Sequence, residues 1–184
     1  MGVDLYGRNP VLVSEKPKIN WGDCPSKEET DKYWEDYKKF RSENVGFSFS
    51  NNWWSWRPLW EFVCVHCEDI LDEKDIEGGS WNDGHYITKR KAKKIGETLQ
   101  GLISSGFVRG YAKEREDKIK KLPDVQCSHC DGRGIRDDQY VQGICNGCSG
   151  LGKVKHRLAS YPFCPDNLAH FAEFALSSGG FEIR

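Results

Sequence analysis

This chain of 184 residues has no long hydrophobic run. Its longest strongly apolar stretch is about four residues, Phe62 to Val65, far short of the roughly 20 that a membrane span needs. Residues 1 to 20 hold no cationic stretch followed by an apolar one, and Tyr6 breaks the pattern for myristoylation. The expectation is a cytoplasmic protein that does not engage a membrane. Charge of one sign is also missing: 27 Lys and Arg face 28 Asp and Glu, so no global field recruits nucleic acid or lipid. Eight cysteines are too few for a disulfide scaffold, and in a reducing compartment such thiols serve as metal ligands or redox groups. There is no GxxxxGK[ST] loop and no HExxH helix, and the closely spaced glycines do not follow a strand. Those gaps remove the nucleotide-triphosphatase, zincin and dinucleotide-enzyme classes.

What is present reads as mainly α, a small helical body with an inserted zinc-binding β-hairpin finger. Residues 1–22, with Pro10 and Pro17, read as an irregular or extended lead-in. Ser26 and Glu29 form a capping box, and Tyr33, Trp34, Tyr37 and Phe40 follow at helical spacing. Pro58 suits the first turn of a second helix running to about Asp72. A polar turn over 78–84 precedes a helix from about Tyr86 to Ser104, with Ala92, Ile95, Leu99, Leu102 and Ile103 on one side. Residues 111–121 form a charged helical stretch that Pro123 ends. After Pro165, Asp166 or Asn167 caps a last helix whose Leu168, Phe171, Ala172 and Ala175 share a face. The domain reading is a body over 1–123, a finger over 124–157, and a C-terminal helix over 158–184 that packs back on the body.

The finger carries the strongest signal. Cys127-Ser-His-Cys130-Asp-Gly-Arg-Gly134 is echoed by Cys145-Asn-Gly-Cys148-Ser-Gly-Leu-Gly152. The spacing is C-x2-C-x14-C-x2-C, close to that of zinc sites. Each C-x-x-C turn aims two thiolates at a centre about 2.3 Å away, and two turns complete a tetrahedron. The glycines two and four residues after each pair let the chain take positive φ and fold back round the metal. Cys127, Cys130, Cys145 and Cys148 are therefore the candidate ligands of one Zn2+, and Ile135 to Ile144 is the hairpin between them. With four Cys ligands the site is closed, so its role is folding rather than catalysis. His129 and His156 are left as solvent or outer groups.

Two C-x-x-C-x-G-x-G units resemble half of the cysteine-rich domain of DnaJ-type co-chaperones. That domain has four units and two zincs, so the resemblance implies one zinc here, over about residues 124–156. His-Pro-Asp occurs nowhere in the chain, so the resemblance does not extend to a J-domain. The body is similar to uncharacterised bacteriophage and prophage proteins in its Met1-Gly-Val-Asp-Leu-Tyr start, its Asn-Trp-Trp-Ser-Trp-Arg-Pro-Leu-Trp segment, its Asn-Asp-Gly turn and its Ser-Gly-Gly-Phe end. That likeness implies phage origin and a host cytoplasm, and no particular activity.

Other residues qualify as candidates. Cys64 and Cys67 make a third C-x-x-C, and with Cys24 and Cys164 they are numerous enough for a second zinc; an apolar helical setting without following glycines favours buried small hydrophobes. Trp53, Trp54, Trp56, Arg57 and Trp60 are either core, with Arg57 stacked on a ring, or a binding face of hot-spot residues or base-stacking planes. Asn82, Asp83 and His85 read as a turn and cap, or as a polar site with His85 as acid or base. Lys89 to Lys121 carries 11 cations and four acids, and Glu61 to Glu77 seven acids and one Lys. These are solvated faces, or a basic patch for nucleic acid beside an acidic helix.

The functional expectation is a non-enzymatic zinc-binding interaction protein acting on a host protein target, in counter-defence or host takeover. The alternative is a nucleic-acid or nucleotide-binding protein using the 89–121 stretch and the Trp-rich segment. An enzyme built on His85 and Asp83 is the third reading.

Overall fold

The computed structural model describes residues 2–184. Two compact units make up the chain, one of residues 1–109 with 164–184 and one of Gly110–Phe163. Helix is the main element, but the first unit also holds a four-stranded antiparallel sheet that the helical reading did not include.

That sheet gathers distant segments. Strand β1 (Gly2–Gly7) lies between β2 (Ser48–Asn52) and β8 (Phe181–Ile183), and β8 pairs in turn with β3 (His85–Ile87). The start of the lead-in expected to be irregular or extended is thus an extended, interior strand. Its residues alternate: Val3 and Leu5 are fully buried while Asp4 and Tyr6 face water, the period-two signature of a half-buried strand. The register carries the alternation across the sheet. Leu5 sits opposite Phe49 and Ile183, and Ile87 opposite Phe181.

Helices cover the inner face. Helix α1 (Lys27–Glu43) has the expected capping box, Ser26 to Glu29, and of its residues only Phe40 is buried. Its aromatic stripe instead meets the chain before it, with Trp21 edge-on to Tyr33 at 5.7 Å. Helix α2 (Trp53–His66) starts five residues earlier and ends six earlier than expected. Asn52 caps it by accepting from the Ser55 N–H at 2.9 Å, so Pro58 falls inside the helix, where it removes one backbone donor. The expected turn over 78–84 begins inside a short helix, α3 (Glu73–Gly79), capped by Asp72 and Asp75 on each other's N–H.

Helix α4 (Lys89–Ser104) begins after Thr88, because Tyr86 belongs to β3. It buries Ala92, Ile95 and Leu99 against α6 (Pro165–Ser177), which buries Leu168, Phe171, Ala172, Phe174 and Ala175. Gly96 sets their separation: a Cβ there would stand 2.5 Å from Leu176 Cγ and 3.0 Å from the Ala172 carbonyl. Cys164, rather than Asp166 or Asn167, occupies the cap position of α6, with Pro165 in the first turn. After α6, Gly179 and Gly180 turn the chain into β8 at φ of 65° and 92°.

The second unit takes in most of α5 (Phe107–Lys120), which runs along solvent with Glu114–Lys118 and Glu116–Lys120 pairs. Arg115 donates to the Tyr161 carbonyl at 2.7 Å, and Tyr111 meets Phe163 edge-on. Two short antiparallel pairs follow: β4 (Val125–Gln126) with β7 (Lys153–Val154), and β5 (Ile135–Asp137) with β6 (Gln142–Ile144).

Candidate metal centre

The two Cys-x-x-Cys turns are near copies, displaced by 18 residues. In the first, the Gly132 N–H donates to the Cys127 carbonyl (3.2 Å), Arg133 N–H to the Cys130 carbonyl (2.9 Å) and Gly134 N–H to Cys130 Sγ (3.2 Å). In the second, Gly150 N–H donates to the Cys145 carbonyl (3.2 Å), Leu151 N–H to the Cys148 carbonyl (3.0 Å) and Gly152 N–H to Cys148 Sγ (3.2 Å). The turns also clasp each other. Cys145 N–H donates to the Gly134 carbonyl and Cys127 N–H to the Gly152 carbonyl, both at 2.9 Å.

The glycines make this geometry possible. Gly134 and Gly152 have φ of 76° and 69°. A Cβ on Gly134 would lie 2.4 Å from the Gly150 carbonyl oxygen, and one on Gly152 2.3 Å from that of Gly132. Both the backbone region and the space therefore require glycine. Asp131 and Ser149, the residues after each pair, also take positive φ, 48° and 51°. The sequence reading did not single them out. Their shared place in the repeat is the signal that would have found them, since Asp and, less often, Ser tolerate this region when the flanking turn fixes it.

The consequence is a knot of sulfur. Cys127 Sγ lies 3.9 Å from Cys145 Sγ and Cys130 Sγ 3.7 Å from Cys148 Sγ, and all four lie within 4.8 Å of one another. A disulfide needs about 2.05 Å, so these are not bonded pairs. Four sulfurs about 2.3 Å from a common centre in tetrahedral array stand about 3.8 Å apart. The observed spacing fits a metal ion between them. The cysteines are also shut from water, at 1%, 0%, 0% and 6% exposure. Burial alone would oppose thiolates, and it pushes Cys148 up to about 11. At Cys145 burial is outweighed by the N–H groups of Gly147 and Cys148, which bring its thiol down to about 7. N–H donors aimed at sulfur spread anionic charge and orient ligands, the role of an outer shell round a metal. With four sulfurs on one ion, no position is left for water or substrate.

The remaining candidates are placed elsewhere. Cys24 and Cys164 are exposed, Cys67 is buried and Cys64 half-buried. Among the described residues, only Cys127, Cys130, Cys145 and Cys148 form a cluster of metal-ligating side chains. Burial pushes Cys64 up to about 11 and Cys67 up to about 12, so both stay protonated thiols at neutral pH.

The tryptophan segment divides. Trp56 and Trp60 are core, stacked at 5.3 Å, with their indole N–H groups on the carbonyls of Gly79 (2.8 Å) and Ile76 (3.2 Å). Trp53 is half-buried beneath the Arg57 guanidinium, 5.4 Å from the ring, and Trp54 is exposed. Asn82 and Asp83 are exposed in the turn before β3. His85 does not meet Asp83. Its Nε2 pairs with Asp75 Oδ1 at 2.9 Å, and the 5% exposed Asp75 side chain also binds Lys91, which reaches Asp72 at 2.7 Å. Asp75 escaped the sequence reading because it looked like one acid of a solvated run. The Asp72-x-x-Asp75 spacing of a capping box was the available sign.

No family model, curated protein or solved structure matches this chain.

Proposed function

We propose that the chain is a non-enzymatic zinc-binding interaction protein, with residues 124–157 as a zinc-stiffened finger that meets a protein partner. The closed four-cysteine cluster carries this reading. An all-thiolate tetrahedral site selects zinc over calcium or magnesium, which take oxygen ligands, and a full coordination shell serves folding. One zinc occupies the finger. A second at Cys24, Cys64, Cys67 and Cys164 has no support from their placement.

The interaction part rests on what the finger leaves outside. Ile135 and Ile144 face each other across the hairpin yet are 61% and 72% exposed, and Tyr140 and Leu151 are each 80% exposed. A two-stranded ribbon has no second layer to cover such groups, and clustered exposed apolar side chains mark protein contacts. The phage-like residues of the body make a host protein the target class, with host takeover or counter-defence as the setting. The alternative nucleic-acid surface keeps Trp54 and part of Trp53 but loses Trp56 and Trp60, which are interior.

The test has two readouts. Elemental analysis of the purified chain gives one zinc, abolished by Cys127→Ser with Cys145→Ser. Quantitative capture from host lysate with wild type and with Ile135→Asp plus Ile144→Asp yields a protein enriched only by wild type, while both retain zinc. Zinc absent from the wild-type chain, or capture indifferent to the hairpin change, contradicts the reading.

A further inference from the structure

The sheet of the first unit buries one face and leaves the other open. On the open face one cross-strand row reads Tyr86, Glu182, Tyr6 and Ser48. Tyr6 and Tyr86 are 41% and 42% exposed. They stand two strand spacings apart, about 10 Å, a distance that adjacent or next-but-one nucleotides of an extended single strand can span.

Two guanidinium groups accompany the rings. Arg8 lies over the Tyr86 ring at 5.4 Å and binds Glu182 Oε2 at 3.1 Å, and Arg184 Nε binds Glu182 Oε1 at 3.0 Å. Glu182, the acid between the tyrosines, is thus neutralised in place, and the other acid of the face is Asp4. Tyr6, Arg8, Tyr86, Glu182 and Arg184 line a shallow concavity of about 560 Å³.

The start of α4 borders this face. A Cβ on Gly180 would meet Lys89 N at 2.8 Å and the Tyr86 hydroxyl at 2.9 Å, so helix start and phenol share one spot. From there Lys89, Arg90, Lys93 and Lys94 all project to solvent, with no acid in the first turn. Only Lys93 has an ion pair among the described residues, with Glu97 at 3.7 Å. Cations at a helix N-terminus oppose its dipole, so helix stability does not account for this group.

We propose that this face binds single-stranded nucleic acid, with bases stacked on Tyr6 and on the Arg8–Tyr86 pair and phosphates held by Arg184 and the α4 cations. Exposed rings set in a positive surface are how sequence-tolerant single-strand sites work. The α4 cations carry a charge complementary to a polyanion, while on the sheet itself Arg8 and Arg184 offset Glu182 and Asp4. This site shares no residue with the finger or with the buried tryptophans.

The experiment uses the full-length, zinc-loaded chain and fluorescein-labelled dT15 and rU15, read by anisotropy at 50 and 200 mM salt. Expected is binding to at least one oligonucleotide that weakens with salt, the stronger of the two identifying the sugar. Tyr86→Ala and Tyr6→Ala each weaken it about 5- to 150-fold, while Tyr86→Phe, which keeps the ring, retains affinity and guards against a folding artefact. Arg90→Gln with Lys93→Gln flattens the log–log salt slope by about 1.4. Cys127→Ser with Cys145→Ser leaves affinity unchanged. Absence of binding at 50 mM salt, binding indifferent to the tyrosine and α4 changes, equal binding of a duplex, or loss on the cysteine change would each overturn the proposal.

Discussion

The finger and the body are held together by different materials. The finger's interior is Cys127, Cys130, Cys145 and Cys148 with Val154 packed against them. The body buries Val3, Leu5, Trp56, Leu59, Phe62, Ile95, Leu99, Phe171, Phe181 and Ile183, among others, to 2% exposure or less. In the body the driving force is apolar area removed from water, spread over many contacts that can each be weakened without collapse. In the finger the outward hairpin side chains contribute little burial. On the proposed reading its order rests on four bonds to one ion, together with turns that only glycine permits.

The most severe test of that contrast is removal of the ion. Cys127→Ser with Cys145→Ser, or a strong chelator, should cost the finger a metal-binding free energy on the order of 10 kcal/mol. In hydrogen exchange, amides of Gly134, Cys145 and Gly152 should lose all protection, while those of α4 and α6 keep theirs. Next in size is Trp56→Ala. It empties a fully buried site and orphans the Gly79 carbonyl, at about 3–5 kcal/mol. Thermal unfolding of the body should show this loss with zinc content unchanged.

A smaller step sharpens the contrast from the finger's side. Gly152→Ala places a Cβ 2.3 Å from the Gly132 carbonyl oxygen at a φ of 69°, costing about 1–3 kcal/mol. The result should appear as weaker zinc affinity in competition with a chromogenic chelator, with the body's melting temperature unmoved. Least is a change in acidity. Thiolates bind zinc and thiols do not, so zinc should be released as pH falls. In the body, hydrogen bonding from Lys91 holds the Asp72 carboxyl below its ordinary 3.8. Its contribution is therefore present above that value and lost only as pH drops through the lowered one. A pH titration following zinc and far-ultraviolet dichroism together should show the metal leaving well before the body responds.

How far the sequence could be read follows the same division. The cysteine turns are legible because their chemistry is local: ligand spacing and the glycines at +2 and +4 lie within eight residues. The helical faces of α4 and α6 are legible for a similar reason, since Ala92, Ile95 and Leu99, or Leu168, Phe171 and Ala175, repeat within one element. The sheet is not. Strand β1 has only six residues and β8 three, and their pairing joins Leu5 to Ile183. No periodicity within a short window reports a partner so distant. Pro58 misled for another reason. Proline favours a first turn, but Asn52 supplies a side-chain cap and burial of Trp56 rewards an earlier start. His85 was read beside its sequence neighbour Asp83, whereas the fold gives it Asp75.

The most direct measurement is zinc stoichiometry by elemental analysis, with thiol labelling mapped by peptide before and after chelation. The account predicts one zinc per chain, with exposed Cys24 and Cys164 labelled at once. Cys127, Cys130, Cys145 and Cys148 should be labelled only after chelation, and Cys64 and Cys67 slowly throughout. A zinc-free protein in which the four finger cysteines label immediately, or two zincs with Cys64 and Cys67 released by chelator, would contradict it.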